Sequence, residues 1–157
     1  SLAWFDRLCR RGILNTRREK AEVGTAMHTY RVAASSAAVQ ISTLSGGNQQ
    51  KVILGRTFVR KPKVLVLNEP TRGIDVGAKS EIYRMLQDAA EAGAAVLVVS
   101  SELPELLGIC DRIAVFFEGR IEGEFDRGNA SEEAIAAIAV AGAHNHQQRN
   151  TLSGAMS

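Results

Sequence analysis

Val64-Leu65-Val66-Leu67-Asn68-Glu69-Pro70-Thr71 is the stretch that decides the fold. Four apolar residues in a row, with no polar alternation, describe a strand covered on both faces, and such strands belong to parallel sheets. Downstream, Ile82, Met85, Leu86 and Ala89 recur at helical spacing within Gly77 to Glu91, and Ala94 to Val99 is apolar again. Strand, helix and strand in that order form a β-α-β unit, so the chain is of α/β class, with a mostly parallel sheet flanked by helices. A second crossover runs through a short helix, Leu103 to Ile109, into Arg112-Ile113-Ala114-Val115-Phe116-Phe117. Glu118-Gly119, set between Phe116-Phe117 and Arg120-Ile121, predicts a hairpin with glycine at a positive-φ position, so the sheet ends antiparallel. Ser131, followed by Glu132 and Glu133, is the N-cap of an Ala- and Ile-rich helix to about Ala141.

The flanks are less patterned. From Ser1 to about Ala38, basic residues mix with scattered apolar ones (Leu2, Trp4, Phe5, Leu8), which reads as two or three helices around a break near Gly12 and Asn15. Past Gly142 the composition predicts a disordered tail, where His144 and His146 are read as solvated residues rather than metal ligands. The chain opens on Ser1 within an amphipathic-looking segment, so its native start is expected upstream.

Composition bounds the function. The 157 residues are 45% hydrophobic and 5% aromatic, and 19 basic against 17 acidic side chains leave a net charge of +2. That balance, with the two signs interspersed, offers neither a nucleic-acid groove nor a patch for an anionic membrane. Cys9 and Cys110 lack C-x-x-C spacing and fit a reducing compartment, Cys110 as a buried thiol. The run Ala94 to Val99 is far shorter than the roughly 20 residues of a membrane span, and no signal peptide is recognisable, so a soluble, unexported chain is expected.

Three segments carry chemistry. Leu44-Ser45-Gly46-Gly47-Asn48-Gln49-Gln50-Lys51 leads straight into helix-compatible sequence. At such a helix start free N–H groups converge, glycines let an anion come close, the Ser45 hydroxyl adds a donor and the dipole favours negative charge. Ser-Gly-Gly by itself reads rather as an ordinary serine cap with flexible glycines; the full octapeptide is much more specific. Glu69 stands at the carboxyl rim of a buried parallel strand, where it can act as a general base orienting a water; otherwise it is a surface residue in a turn before proline. Gly73-Ile74-Asp75-Val76-Gly77 taken singly is an Asp N-cap for the next helix.

In this order and spacing the three segments resemble the second half of an ATP-binding cassette (ABC) ATPase, a P-loop NTPase-like fold. Leu44 to Lys51 looks like the family's signature motif, with Asn48 where Gln is commoner, and Val64 to Pro70 looks like its Walker B strand. Asp75 matches the D-loop aspartate, and Ser100-Ser101-Glu102 falls where the switch-histidine loop belongs. Asn68 to Lys79, Glu81-Ile82-Tyr83 and Ser100 to Glu105 are similar to the C-terminal cassette of tandem ATPases that power bacterial ribose, xylose, arabinose and galactose importers.

The resemblance implies residues 1–43 as a remnant of the helical subdomain, 44–141 as the signature and Walker B half of the core, and 142–157 as tail. It implies ATP and Mg²⁺ as cofactors, and a second cassette, in the same chain or a dimer, as partner. Further implied partners are the permease's transmembrane subunits and, through them, a periplasmic sugar-binding protein, with no nucleic acid. The implied location is cytoplasmic, peripheral on the inner face of the plasma membrane. Ser45, Gly46, Gly47, Asn48, Asn68, Asp75 and Ser101 would contact nucleotide, and Glu69 would be catalytic.

The sequence departs from that pattern in three places. No G-x-x-x-x-G-K-[ST] occurs, so the chain alone is expected to bind ATP poorly. Asn68 replaces the Walker B aspartate and could hold a metal only weakly, through water. Ser101 replaces the switch histidine and cannot make its charge-assisted contact. The alternative reading is a non-catalytic, truncated or regulatory protein with an ABC-derived fold. A cassette acting on ribosomes or DNA is disfavoured by the Thr71-Arg72-Gly73-Ile74-Asp75 form and the lack of a basic patch.

Overall fold

A computed structural model describes residues 9–10 and 13–140. The chain divides into two compact units, Ser1–Val99 and Ser100–Ser157.

The first unit opens on a short antiparallel pair, β1 (Cys9–Arg10) with β2 (Ile13–Leu14). One helix follows, α1 (Thr16–Thr29), started by Asn15, whose side chain accepts a hydrogen bond from the Arg18 N–H at 3.0 Å. Among the described residues of this stretch there are a strand pair and one helix; the rest of the two or three helices expected here falls on residues 1–8, outside the described residues. Asn15 is a strong cap, so the helix begins at the break expected near this residue. Gly12, the residues Leu2 to Leu8 and the tail with His144 and His146 lie outside the described residues.

A single turn at Ile41–Thr43 leads to α2 (Gly46–Phe58), β3 (Val64–Asn68), α3 (Val76–Glu91) and β4 (Ala95–Val99). Strands β3 and β4 pair in parallel from Val64↔Ala95 to Asn68↔Val99, so the β-α-β unit forms as expected. Helix α3 packs on β4 and α2 packs on α3, burying Leu54, Phe58, Leu65, Ile82, Met85 and Leu86. Burial on both faces is not what the two strands show. Leu65 is buried, whereas Val66 is 67% and Leu97, beside it on the other face, 57% exposed. The helices described in this unit cover the Leu65 face, and the opposite face, with Val64 and Val99, stays open.

The second unit comprises α4 (Leu103–Ile109), β5 (Arg112–Phe117), β6 (Arg120–Asp126) and α5 over 132–140. Strands β5 and β6 form a two-stranded antiparallel sheet of their own. Their two-residue turn places both Glu118 (φ 46°) and Gly119 (φ 78°) in the left-handed region, the conformation that matches the twist of the flanking strands. Ser131 accepts from the Ala134 N–H at 3.1 Å, as its capping role predicts. Ile113, Val115 and Ile135 form the core, against Leu103, Leu106, Cys110, Phe125 and Ile138. Cys110 is half-buried, and burial together with the Asp111 carboxylate pushes its thiol pKa up.

Candidate functional site

Helix α2 starts in an unusual way. Ser45 occupies the N-cap with extended backbone, yet its side chain makes no capping hydrogen bond. The ordinary serine cap is thus absent, and the first N–H groups of α2 are not covered by their own cap residue. Instead the Ser45 hydroxyl accepts from the Asn48 Nδ2 at 2.9 Å, while Asn48 Oδ1 accepts from the Ala33 N–H at 2.8 Å. Gln49 Nε2 donates to the Leu44 carbonyl at 2.8 Å, fixing the chain on the other side of Ser45. A helix start with open donors and two glycines is an anion cradle.

The glycines also set how α2 lies against α3. A Cβ on Gly47 would come 2.5 Å from the Ala78 Cβ and 3.6 Å from Ile74 Cγ2. Only glycine permits that approach. A Cβ on Gly46 would meet nothing nearer than the Gly73 carbonyl at 4.0 Å. Leu44 to Lys51 and Gly73 to Ala78 are therefore one contiguous surface. At its edge Asp75 caps α3, accepting from the Ala78 N–H at 2.9 Å.

Asn68, the last residue of β3, is exposed, and Glu69 just beyond it is half-buried. Glu69 has φ 48°, a left-handed conformation uncommon for a side chain of this kind, with its N–H donating to the Val99 carbonyl at 2.7 Å. The neighbouring strand thus holds Glu69 in this turn conformation. The turn is continued by Arg72 N to the Glu69 carbonyl (3.3 Å), Ile74 N to the Thr71 carbonyl (3.2 Å) and buried Thr71. In the second unit Ser101 is exposed, and Ser100 Oγ donates to Glu105 Oε2 at 3.0 Å and accepts from the Glu102 N–H at 3.1 Å. No group of three His, Cys, Asp or Glu able to hold a metal occurs among the described residues.

A buried charge was not foreseen. Lys51, whose side chain is 6% exposed, forms an ion pair with Glu81 of α3 and donates to the Arg31 carbonyl at 3.1 Å. It lies one turn after Gly47, as Glu81 lies one turn after Ala78, so a steric contact and an ion pair form one seam between α2 and α3. The spacing was visible in the sequence, but the pairing of the two helices was not. Tyr30 extends the seam: its ring lies where a Gly55 Cβ would be, packs edge-on to Phe58 at 6.1 Å between centroids, and has its hydroxyl pKa raised by burial.

The family model described as ABC transporter matches residues 5–72. The ribose import ATP-binding protein RbsA 2 of Rhizobium meliloti (strain 1021) is 49% identical over 82% of this chain and 25% of its own length. The xylose import ATP-binding protein XylG of Moorella thermoacetica (strain ATCC 39073 / JCM 9320) is 50% identical over 79% of this chain and 25% of its own. The chain belongs to the ABC transporter family. It spans about a quarter of the length of these curated relatives. Its fold is that of an ABC cassette: the bacterial cassette MJ0796, solved as a dimer, superposes with a TM-score of 0.64 at 23% identity, over 75% of this chain and 51% of that one. The cassette MJ1267 does so with a TM-score of 0.66 at 22% identity, over 82% and 53%. The ABC segments Ser45 to Lys51 and Gly73 to Ala78 are thus adjacent in the folded chain. Asn68 and Glu69 belong to the same unit and Ser101 to the other. Among the described residues no helix is long and apolar enough to cross a membrane.

Proposed function

We propose that this chain is the signature and Walker B part of the ATP-hydrolysing subunit of a monosaccharide importer. In this reading Ser45, Gly46 and Gly47 close on ATP held by the phosphate loop of another cassette, because this sequence has no such loop of its own. The observation that carries the reading is that Ser45 leaves its own helix uncapped, so that the α2 N-terminus keeps donors for a phosphate. Similarity to ribose and xylose import proteins supports the monosaccharide class, with permease subunits and a sugar-binding protein as partners and a cytoplasmic, membrane-peripheral place.

Glu69, Asn68 and Asp75, all of the first unit, would serve the site on the other side. There Glu69 would hold and polarise the attacking water, accepting its proton as the γ-phosphoryl departs. Asn68 brings an amide rather than a carboxylate to that site, and among the described residues no cluster of acidic ligands accompanies it. Mg²⁺, which would neutralise phosphate charge, would then be held mainly by the nucleotide, with Asn68 contacting it through water. The two sites are therefore unequal, with this chain contributing most through its signature motif.

The test is ATP hydrolysis by the full-length protein. Ser45→Arg is expected to abolish it, and Glu69→Gln to have a milder effect. Equal loss from both changes would contradict the asymmetry. Asn68 and Ser101 favour a second reading, a non-catalytic member of the family; no response of hydrolysis to either substitution would support it.

A further inference from the structure

We propose that Asn48 is a positioning residue that aims the Ser45 hydroxyl proton outward, toward the nucleotide phosphate. The inference deepens the reading above and rests on it. Its basis is the direction of two hydrogen bonds. The Ala33 N–H can only donate, so the Asn48 atom 2.8 Å from it is the amide oxygen. The atom 2.9 Å from Ser45 Oγ is then Nδ2, which also can only donate. Ser45 must accept there. A serine hydroxyl has one proton and two lone pairs, so with one lone pair engaged by Asn48 its proton is left for another acceptor.

The chain Ala33 N–H to Asn48 to Ser45 thus has a single polarity, and its open end is a donor. Accepting from Asn48 polarises the Ser45 O–H and strengthens it as a donor, as linked hydrogen bonds do. The position follows from the helix: residue 48 lies one turn beyond residue 45, and asparagine is short enough to reach the hydroxyl while its oxygen reaches Ala33. Gln49, holding the Leu44 carbonyl at 2.8 Å, keeps the Ser45 backbone in place, so the rotor is the freedom that remains and Asn48 removes it. Asn48 itself, expected from sequence to contact nucleotide, has both ends of its amide committed to the protein.

A double-mutant cycle between Ser45→Ala and Asn48→Ala, read as kcat/KM for ATP in the full-length protein, tests this. Ser45→Ala is expected to lower kcat/KM, and Asn48→Ala to lower it about five- to tenfold by freeing the rotor. In the Ser45→Ala background Asn48→Ala is expected to do nothing further, because its effect passes through the hydroxyl. Asn48→Asp, which can only accept, turns the Ser45 proton inward and is expected to be worse than Asn48→Ala. If Ser45→Ala has no effect, the signature reading itself fails, and this proposal with it. If Ser45→Ala is impaired but Asn48→Ala matches wild type, or if the two losses multiply, the reading stands and the positioning role of Asn48 is overturned.

Discussion

The contact between Gly47 and Ala78 yields a sharp stability prediction. A Cβ at position 47 would stand 2.5 Å from the Ala78 Cβ, whereas carbon atoms in contact prefer about 3.5–4.0 Å. Gly47→Ala must therefore push α2 and α3 apart by about 1 Å. Ile74 Cγ2, 3.6 Å from the same point, limits a sideways escape. Overpacking of this size costs about 1–3 kcal/mol, and the better helix propensity of alanine returns about 1 kcal/mol or less this close to the helix start. The net expectation is a loss of about 1–2 kcal/mol in equilibrium urea unfolding. Ala78→Gly alone should lose about 0.5–1 kcal/mol from backbone entropy. Together the two changes move the methyl from one helix to the other, so the steric part vanishes and the double variant should lie within about 1 kcal/mol of wild type. Gly46→Ala, with its nearest neighbour at 4.0 Å, should change stability by no more than about 0.5 kcal/mol. Additivity of Gly47→Ala and Ala78→Gly to within about 0.5 kcal/mol would refute the close approach.

Other expectations follow from the same seam and turns. Lys51→Met strands the Glu81 carboxylate and the Arg31 carbonyl; because Glu81 keeps 35% exposure and its water, the loss in urea unfolding should be about 1–3 kcal/mol, with Lys51→Arg closer to wild type. Glu69→Gly relieves a positive φ of 48° but adds unfolded-chain entropy, so stability should hold or rise by about 1 kcal/mol in thermal melting while ATP hydrolysis by the full-length protein falls. The raised pKa of Cys110 keeps its thiol protonated in the fold, so alkylation at mildly alkaline pH should be slower than for a free thiol and accelerate in urea. The sign of the linkage is that the unfolded thiol ionises first, so this group's stabilising effect is lost as pH rises past the ordinary thiol range, which Cys110→Ser should abolish.

Legibility from sequence tracked how local each determinant is. The β-α-β unit was readable because Val64 to Leu67, the Ile82-Met85-Leu86 face and Ala94 to Val99 each declare their period within a few residues. The hairpin at Glu118-Gly119 and the caps at Asp75 and Ser131 are local for the same reason. The short pair Cys9–Arg10 with Ile13–Leu14 was not read from the sequence because two-residue strands carry no period. The open face at Val66 and Leu97 was misread because an apolar run states what a strand can bury, not what lies beside it in this chain. Within the site, the motif residues were found by type and spacing, but the Lys51–Glu81 pair, the Gly47–Ala78 contact and the Asn48 bridge to Ala33 depend on how separate elements meet, which periodicity does not encode.

The central claim, that Ser45 to Gly47 close on a nucleotide held elsewhere, is tested most directly by amide hydrogen exchange over 44–51 in the full-length protein with and without Mg-ATP. The account predicts slowed exchange at Gly46 and Gly47 when ATP is present, lost when the phosphate-loop lysine of the paired cassette is replaced. Exchange unchanged by ATP, or protection that survives that replacement, would contradict it.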